Sequence, residues 1–256
     1  MRPGAILGTA FRLYRRHWRT LLPIVALAAP LVVSFPSTRV LPGPGSGYQV
    51  IVHHRAVATG ASWADTAIVT LAAVAALVVV AVVAGAVTRA AVAAVAGEDL
   101  GIRRSYRFGL GRMWPLFLVL VSTWLLTMLG VVLLVVPGVI VGVLLVVSLP
   151  ALVVEGRRAR QALTRSWAVV GGQWWHTFGT VLLTWLLLGL AANLVDNLAG
   201  GLGHGWLAET ISQALAITLV TPLAALVGVL LYLDLRARKQ ARDAGDPRRD
   251  PRASGA

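Results

Sequence analysis

The sequence contains no cysteine, which excludes disulfides, a thiolate nucleophile and a cysteine-ligated metal. It is poor in acid, with ten Asp and Glu, and its 23 basic residues include a single lysine, Lys239. Charged residues make up only 13% of the chain, against about 25% in a soluble domain. Hydrophobic residues make up 57% and the mean hydropathy is +0.78. A soluble globule has no interior large enough for that much apolar surface, whereas lipid accepts it. Composition therefore defines an integral membrane protein.

A spanning helix needs about 20 mostly apolar residues. The segments that meet or approach this are 20–35, 66–87, 115–136, 139–154, 177–195 and 213–233, and no charged residue falls inside them. Pro23 and Pro30 predict a kink in the first, and Pro222 lies inside the sixth. Only Pro137-Gly138 separates the third from the fourth, so the pair predicts a hairpin rather than one overlong helix. Residues 36–62 are rich in Pro and Gly and read as a loop, with room for a small strand at "YQVIV". The tail 236–256 reads as disordered. A signal-peptide reading of residues 1–35 is disfavoured, because the basic region is long and strongly amphipathic.

The arginines set the expected orientation. Residues 1–19, 88–114, 155–176 and the tail from Arg236 carry 21 of the 23 basic residues. The connectors that alternate with them hold only Arg39 and Arg55. By the positive-inside rule both termini are then cytoplasmic; the excess of Arg over Lys, with abundant Ala, Gly and Pro, reads as a GC-rich bacterial genome, so the expected location is the inner membrane of a bacterium. Trp18, Trp114, Trp174 and Trp175 fall at the expected inner ends and Trp63 and Trp206 at the outer ends, as an aromatic belt requires.

Three basic stretches are amphipathic when placed on a helix. In the first, Ile6, Leu7, Ala10, Phe11, Tyr14, Trp18 and Leu21 share one face, and Arg12, Arg15, Arg16 and Arg19 the other. In 157–175, Ala162, Leu163, Ser166, Trp167, Val170 and Trp174 oppose Arg157, Arg158 and Arg165, with Arg160 nearby. The third, 103–114, is weakened by Gly109 and Gly111. Each stretch precedes two spans, so the chain reads as up to three copies of an elbow helix followed by two spans. Such elbows suit the headgroup layer, with anionic lipid as the expected partner of the arginines. Pure orientation signals are the alternative. A nucleic-acid arm is disfavoured, since membrane separates the basic segments.

Chemistry is hard to find. Metal sites need convergent ligands, and neighbouring His53 and His54, His204 in a Gly-rich stretch, and His17 and His176 beside tryptophans do not converge in sequence. No phosphate-binding loop or Ser/His/Asp arrangement is recognisable, so neither a metal nor another cofactor is expected. Asn193, Asp196 and Asn197 share a helix face and form a candidate polar cluster at an outer end, against the plainer reading of a solvated helix end. Asp234 is expected to pair locally with Arg236 or Arg238, or to tie to an elbow arginine.

The blocks "PGVIVGVLLVVSLPALVVEG", "ALTRSWAVVGGQWWHTFG" and "TPLAALVGVLLYLDLRARK", with the opening "GAILGTAFRLYRRHWRTLLPI", resemble the membrane-domain family named after glycerophosphoryl diester phosphodiesterase. The likeness spans most of the chain apart from 36–62 and the tail. It implies a stand-alone membrane domain without the catalytic barrel. His54-Arg55 is followed by Ala56 rather than the glycine of the phosphodiesterase motif, so the enzymatic activity is not implied. The expected protein is an all-α, polytopic bundle of six transmembrane helices with three cytoplasmic-side amphipathic elbow helices. Its expected role is a non-catalytic scaffold or accessory one with lipid contact and an envelope-protein partner. A small transporter or permease is the alternative, and an enzyme acting on lipid comes third.

Overall fold

The computed structural model describes residues 3–29, 38–42, 48–52, 55–59, 63–98, 101–156, 158–200 and 206–244. Helices dominate it. They are α1 (Pro3–Ala26), α2 (Trp63–Ala96), α3 (Ile102–Gly111), α4 (Met113–Leu133), α5 (Val135–Leu145), α6 (Ser148–Glu155), α7 (Ala159–Val170), α8 (Trp174–Gly200) and α9 (Trp206–Ala244). Five stretches are long and apolar enough to cross a membrane: Val74–Ala96, Met113–Leu133, Val135–Glu155, Ala159–Leu198 and Thr210–Asp243. The chain is a multi-pass membrane protein. Helices serve here because each satisfies its own backbone polar groups where lipid offers no hydrogen bond.

The expected helical fold is what the structure shows, with one small addition in the connector. Between α1 and α2 lie three short strands, β1 (Thr38–Pro42), β2 (Tyr48–Val52) and β3 (Arg55–Thr59), in an antiparallel sheet of order β1-β2-β3. The strand anticipated at "YQVIV" is the central one. Its Val50-Ile51-Val52 run suits a pleated chain, and its backbone groups need partners on two sides, which β1 and β3 provide.

Four further details differ from the sequence reading. The hairpin between the third and fourth spans turns at Leu134, in extended conformation (φ −166°, ψ 140°), not at Pro137-Gly138. Pro137 instead sits in the first turn of α5, where its missing N–H is one that no helix would satisfy. Gly138 is needed for contact: a Cβ on Gly130 would lie 2.8 Å from the Gly138 Cα. Next, the fourth span is interrupted at Val146–Val147, between α5 and α6. The Leu144 carbonyl at the break accepts a bond of 2.6 Å from the Ser166 hydroxyl of α7, which is fully buried.

The third difference concerns α1. Its non-helical residue is His17 (φ −112°, ψ 21°), and Pro23 sits inside the continuing helix. The Thr20 hydroxyl bonds the His17 carbonyl at 2.9 Å, a side-chain bond of the kind that bends helices. Pro30 lies outside the described residues. Last, the supposed disordered tail is helical through Ala244, as a continuation of α9. Arg238, Lys239 and Arg242 find acceptors on the neighbouring helices, as detailed below, and those bonds hold the polar extension in place.

The main core gathers α1, α2, α5, α6, α7 and α9, with Ile6, Leu21, Val87, Val147, Leu226 and Tyr232 among its most buried members. Alanines of α2 let its neighbours approach closely. A smaller cluster joins Ala81, Leu116, Val119, Leu152, Val153 and Ala162. There Gly109 of α3 meets α2 backbone to backbone, since a Cβ would lie 2.6 Å from the Val82 carbonyl oxygen. The Tyr106 hydroxyl of α3 bonds the Ile24 carbonyl at 2.5 Å, serving one of the unpaired acceptors at the end of α1. Helix α4, by contrast, presents Trp124, Leu125, Leu129 and Leu133 outward, where lipid is their solvent.

Candidate functional site

Arg112, Arg165, Arg238, Lys239 and Arg242 gather at one end of the bundle. Arg112, in the bend between α3 and α4, lies over Gly156 beyond α6 and near the ring of Phe108. Glu155, α7, the start of α8 and the end of α9 meet at the same end. The opposite end carries the Leu134 turn and a bond of 2.5 Å from Ser212 of α9 to Asp196 of α8.

On α1 the structure turns the expected faces. Ile6, Ala10, His17, Leu21 and Ile24 form the buried side. Phe11 and Trp18, which the sequence reading grouped with them, are 52% and 47% exposed. His17 is buried rather than interfacial. Arg12, Arg15, Arg16 and Arg19 are all exposed, and none pairs with a described carboxylate. Arg12 reaches Thr9 of its own helix at 3.3 Å, and Arg19 lies 5.6 Å from the Trp18 ring. The result is a face where two aromatics stand among four cations, the composition that suits a headgroup layer.

Helix α7 differs. Its apolar strip, Ala162, Ser166, Val169 and Val170, is buried in protein, so it is not free to insert into lipid; Trp167 remains exposed. Arg158 and Arg160 are exposed, and Arg157 lies outside the described residues. Arg165 turns inward: its Nε bonds Glu155 Oε1 at 3.2 Å. The Tyr232 hydroxyl of α9 donates to the same oxygen, so one carboxylate ties α6, α7 and α9. A charge this far from water is tolerable only when paired and hydrogen-bonded in this way.

A second lock joins α8 and α9. Asp234 forms an ion pair with Arg238, Nε to Oδ2 at 2.9 Å, and lies 3.5 Å from His176 Nε2. Arg238 continues to Gln173 Oε1 at 3.1 Å. Lys239 and Arg242 donate to the Ala168 and Gly172 carbonyls at 3.1 and 3.3 Å. Cations at the end of α7 suit its unpaired carbonyls and dipole. Trp174 stacks on Phe178 at 5.1 Å and meets Trp175 edge-on at 4.8 Å, and Trp175 is 79% exposed.

The polar cluster at the far end does not assemble into a site. Asn193 and Asn197 are exposed, and each returns its amide to a carbonyl of its own helix, Gly189 at 2.8 Å and Asn193 at 2.7 Å. Among the described residues, Asp196 is the member that reaches another element, through Ser212. No three His, Asp or Glu side chains gather as for a metal ion among the described residues, and His53, His54 and His204 lie outside them. The sequence reading missed Tyr232, Ser166, Ser212 and Gln173. A lone acid at a span end, as at Glu155 and Asp234, was the available signal that a buried partner had to exist.

Comparison with protein-family models, with curated proteins and with solved structures finds no match for this chain.

Proposed function

We propose that this chain is a non-catalytic, six-span protein of a bacterial cytoplasmic membrane, with both termini in the cytoplasm. Its role in this reading is that of a scaffold or accessory protein that holds anionic lipid at its cytoplasmic face. The observation that carries it is the exposed face of α1, where Arg12, Arg15, Arg16 and Arg19 flank Phe11 and Trp18 without a described carboxylate. The first part of α1, with α3 and α7, would lie on the cytoplasmic side. The ordering of a short helix before two spans at α3–α6 and α7–α9 is compatible with duplication. The resemblance to stand-alone membrane domains named after glycerophosphoryl diester phosphodiesterase supports the same role, with an envelope protein as partner.

Orientation is directly measurable because the chain has no thiol. Single Gly45→Cys and Ala253→Cys variants are treated in intact cells with a membrane-impermeant reagent. Labelling at position 45 and protection at 253 is the expected outcome; the reverse overturns the orientation and with it the anionic-leaflet assignment.

One observation favours a small transporter or permease as the second reading. The interruption at Val146–Val147 lies inside a spanning segment, and broken spans are a device of transporters. Against it, the Leu144 carbonyl at the break is already taken by Ser166.

A further inference from the structure

An apolar slot runs between two of the spans. It follows α8 from Val181 to Ala192 and α9 from Val220 to Leu231, and is closed at the back by Val146 and Val147. Its volume is about 430 Å³, within the range of about 300–1,000 Å³ typical of ligand sites. At 1.5 Å per helical residue each wall is about 16 Å long, roughly half the ~30 Å hydrocarbon thickness and so the reach of one lipid chain. The slot is therefore long, narrow and parallel to the spans.

Its chemistry selects the occupant. Thr184 and Thr221 carry the only hydroxyls in the lining and Trp185 its only side-chain N–H, and the Thr184 hydroxyl is committed to the Thr180 carbonyl at 2.7 Å. Water needs two to four polar partners to be held, and the slot does not offer them. Small residues facing each other across two spans ordinarily let the backbones touch. Here Gly189 and Ala192 on one helix and Ala224 and Gly228 on the other all belong to the lining, and a Cβ on Gly189 would meet nothing within 4 Å. The Val146–Val147 interruption stands at the rear of the slot. Trp185 lines the slot and is 74% exposed, so its ring stands at the lipid side.

We infer that this slot binds one acyl chain of a membrane phospholipid, held between α8 and α9 against the break in the fourth span. The binding is apolar and independent of the α1 arginines. It makes the protein a specific lipid binder within the bilayer core rather than a surface merely wetted by lipid.

The test uses the full chain reconstituted in phosphatidylcholine–phosphatidylglycerol vesicles. A trace of phosphatidylcholine carries a diazirine midway along one acyl chain, and labelled residues are mapped by mass spectrometry after irradiation. Labels should concentrate at Val146, Val147 and 185–192 over the lipid-facing Trp124 and Leu125 of α4. Gly189→Leu should cut the slot labels about tenfold, the worth of roughly two displaced methylenes, and leave the α4 labels unchanged. Gly179→Leu, on the same helix but outside the slot lining, should change neither. Should Gly189→Leu fail to fold, Ala224→Leu fills the slot from the opposite wall. Replacing the four α1 arginines by Gln should leave the slot labels intact. Slot labelling no denser than on α4, or insensitive to the filling substitutions, overturns the assignment. So does disulfide-linked dimerisation of a Gly189→Cys chain, which would place a second copy in the slot.

Discussion

The arginines of α1 and those around α7 stand in similar patterns against similar apolar strips, yet the fold uses them differently. On α1 the four arginines face outward beside exposed Phe11 and Trp18. Around α7, Arg165 is drawn to Glu155, and Arg238, Lys239 and Arg242 reach α7, the turn after it and Asp234. The cause lies in the neighbours. No acidic residue occurs before Asp65, so α1 has no carboxylate in its own part of the chain. Glu155 and Asp234 stand at the ends of their helices and supply an internal partner to whichever cation packs there. A basic stretch stays exposed where the protein has not already provided the anion, which is what the proposed lipid contact of α1 rests on.

That contrast is broken or sharpened most strongly at Glu155. Glu155→Ala strands Arg165 and the Tyr232 hydroxyl and should cost about 1–3 kcal/mol, as leaving part-buried hydrogen-bond partners unsatisfied does. Arg15→Gln, on the exposed face of α1, should stay within about 0.5 kcal/mol. Thermal unfolding in detergent compares the two, and equal losses would erase the distinction. Ser166→Ala should cost about 1–2 kcal/mol by leaving the Leu144 carbonyl buried and unpaired; an unchanged midpoint would mean that the break at Val146–Val147 does not depend on α7. The smallest effect is expected at the end of α9. Lys239→Ala with Arg242→Ala should hardly move the midpoint, at about 0.5 kcal/mol for each exposed cation near a helix end. It should nonetheless speed amide exchange over 236–244, and unchanged exchange there would show that these bonds do not hold the extension.

How much of this could be read from sequence depends on what each signal reports. Hydropathy locates apolar runs, and those runs are helices. It does not report where backbone breaks fall, because these depend on contacts across the bundle. Leu134 turns so that Gly130 and Gly138 can touch, and Ser166, far along the chain, takes the Leu144 carbonyl. Periodicity says which side chains share a face and not what covers it. Phe11 and Trp18 were grouped with Ile6 on α1, whereas at 3.6 residues per turn both lie about 120–140° from Ile6 and fall outside the buried arc. On α7 periodicity gave the apolar strip correctly in outline, while protein rather than lipid covers it. Arg165 lay on the polar face of the wheel because the wheel holds no Glu155. The charge of the segment after Asp234 suggested disorder, since a tail read alone has no acceptors; Ala168, Gly172 and Gln173 provide them.

The most direct measurement separates where charge sits from how much there is. The full chain is reconstituted with equal phosphatidylcholine and phosphatidylglycerol, and the lipid retained on re-extraction is quantified at low and high salt. One variant changes Arg12, Arg15, Arg16 and Arg19 to Gln, and another changes Arg238, Lys239 and Arg242 to Gln. A basic residue near an anionic surface is worth about 1 kcal/mol before screening. The expected result is that the α1 variant loses the phosphatidylglycerol preference and its salt dependence, while the α9 variant keeps both. Losses in proportion to the number of charges removed, regardless of position, would contradict the division of labour between the two basic regions.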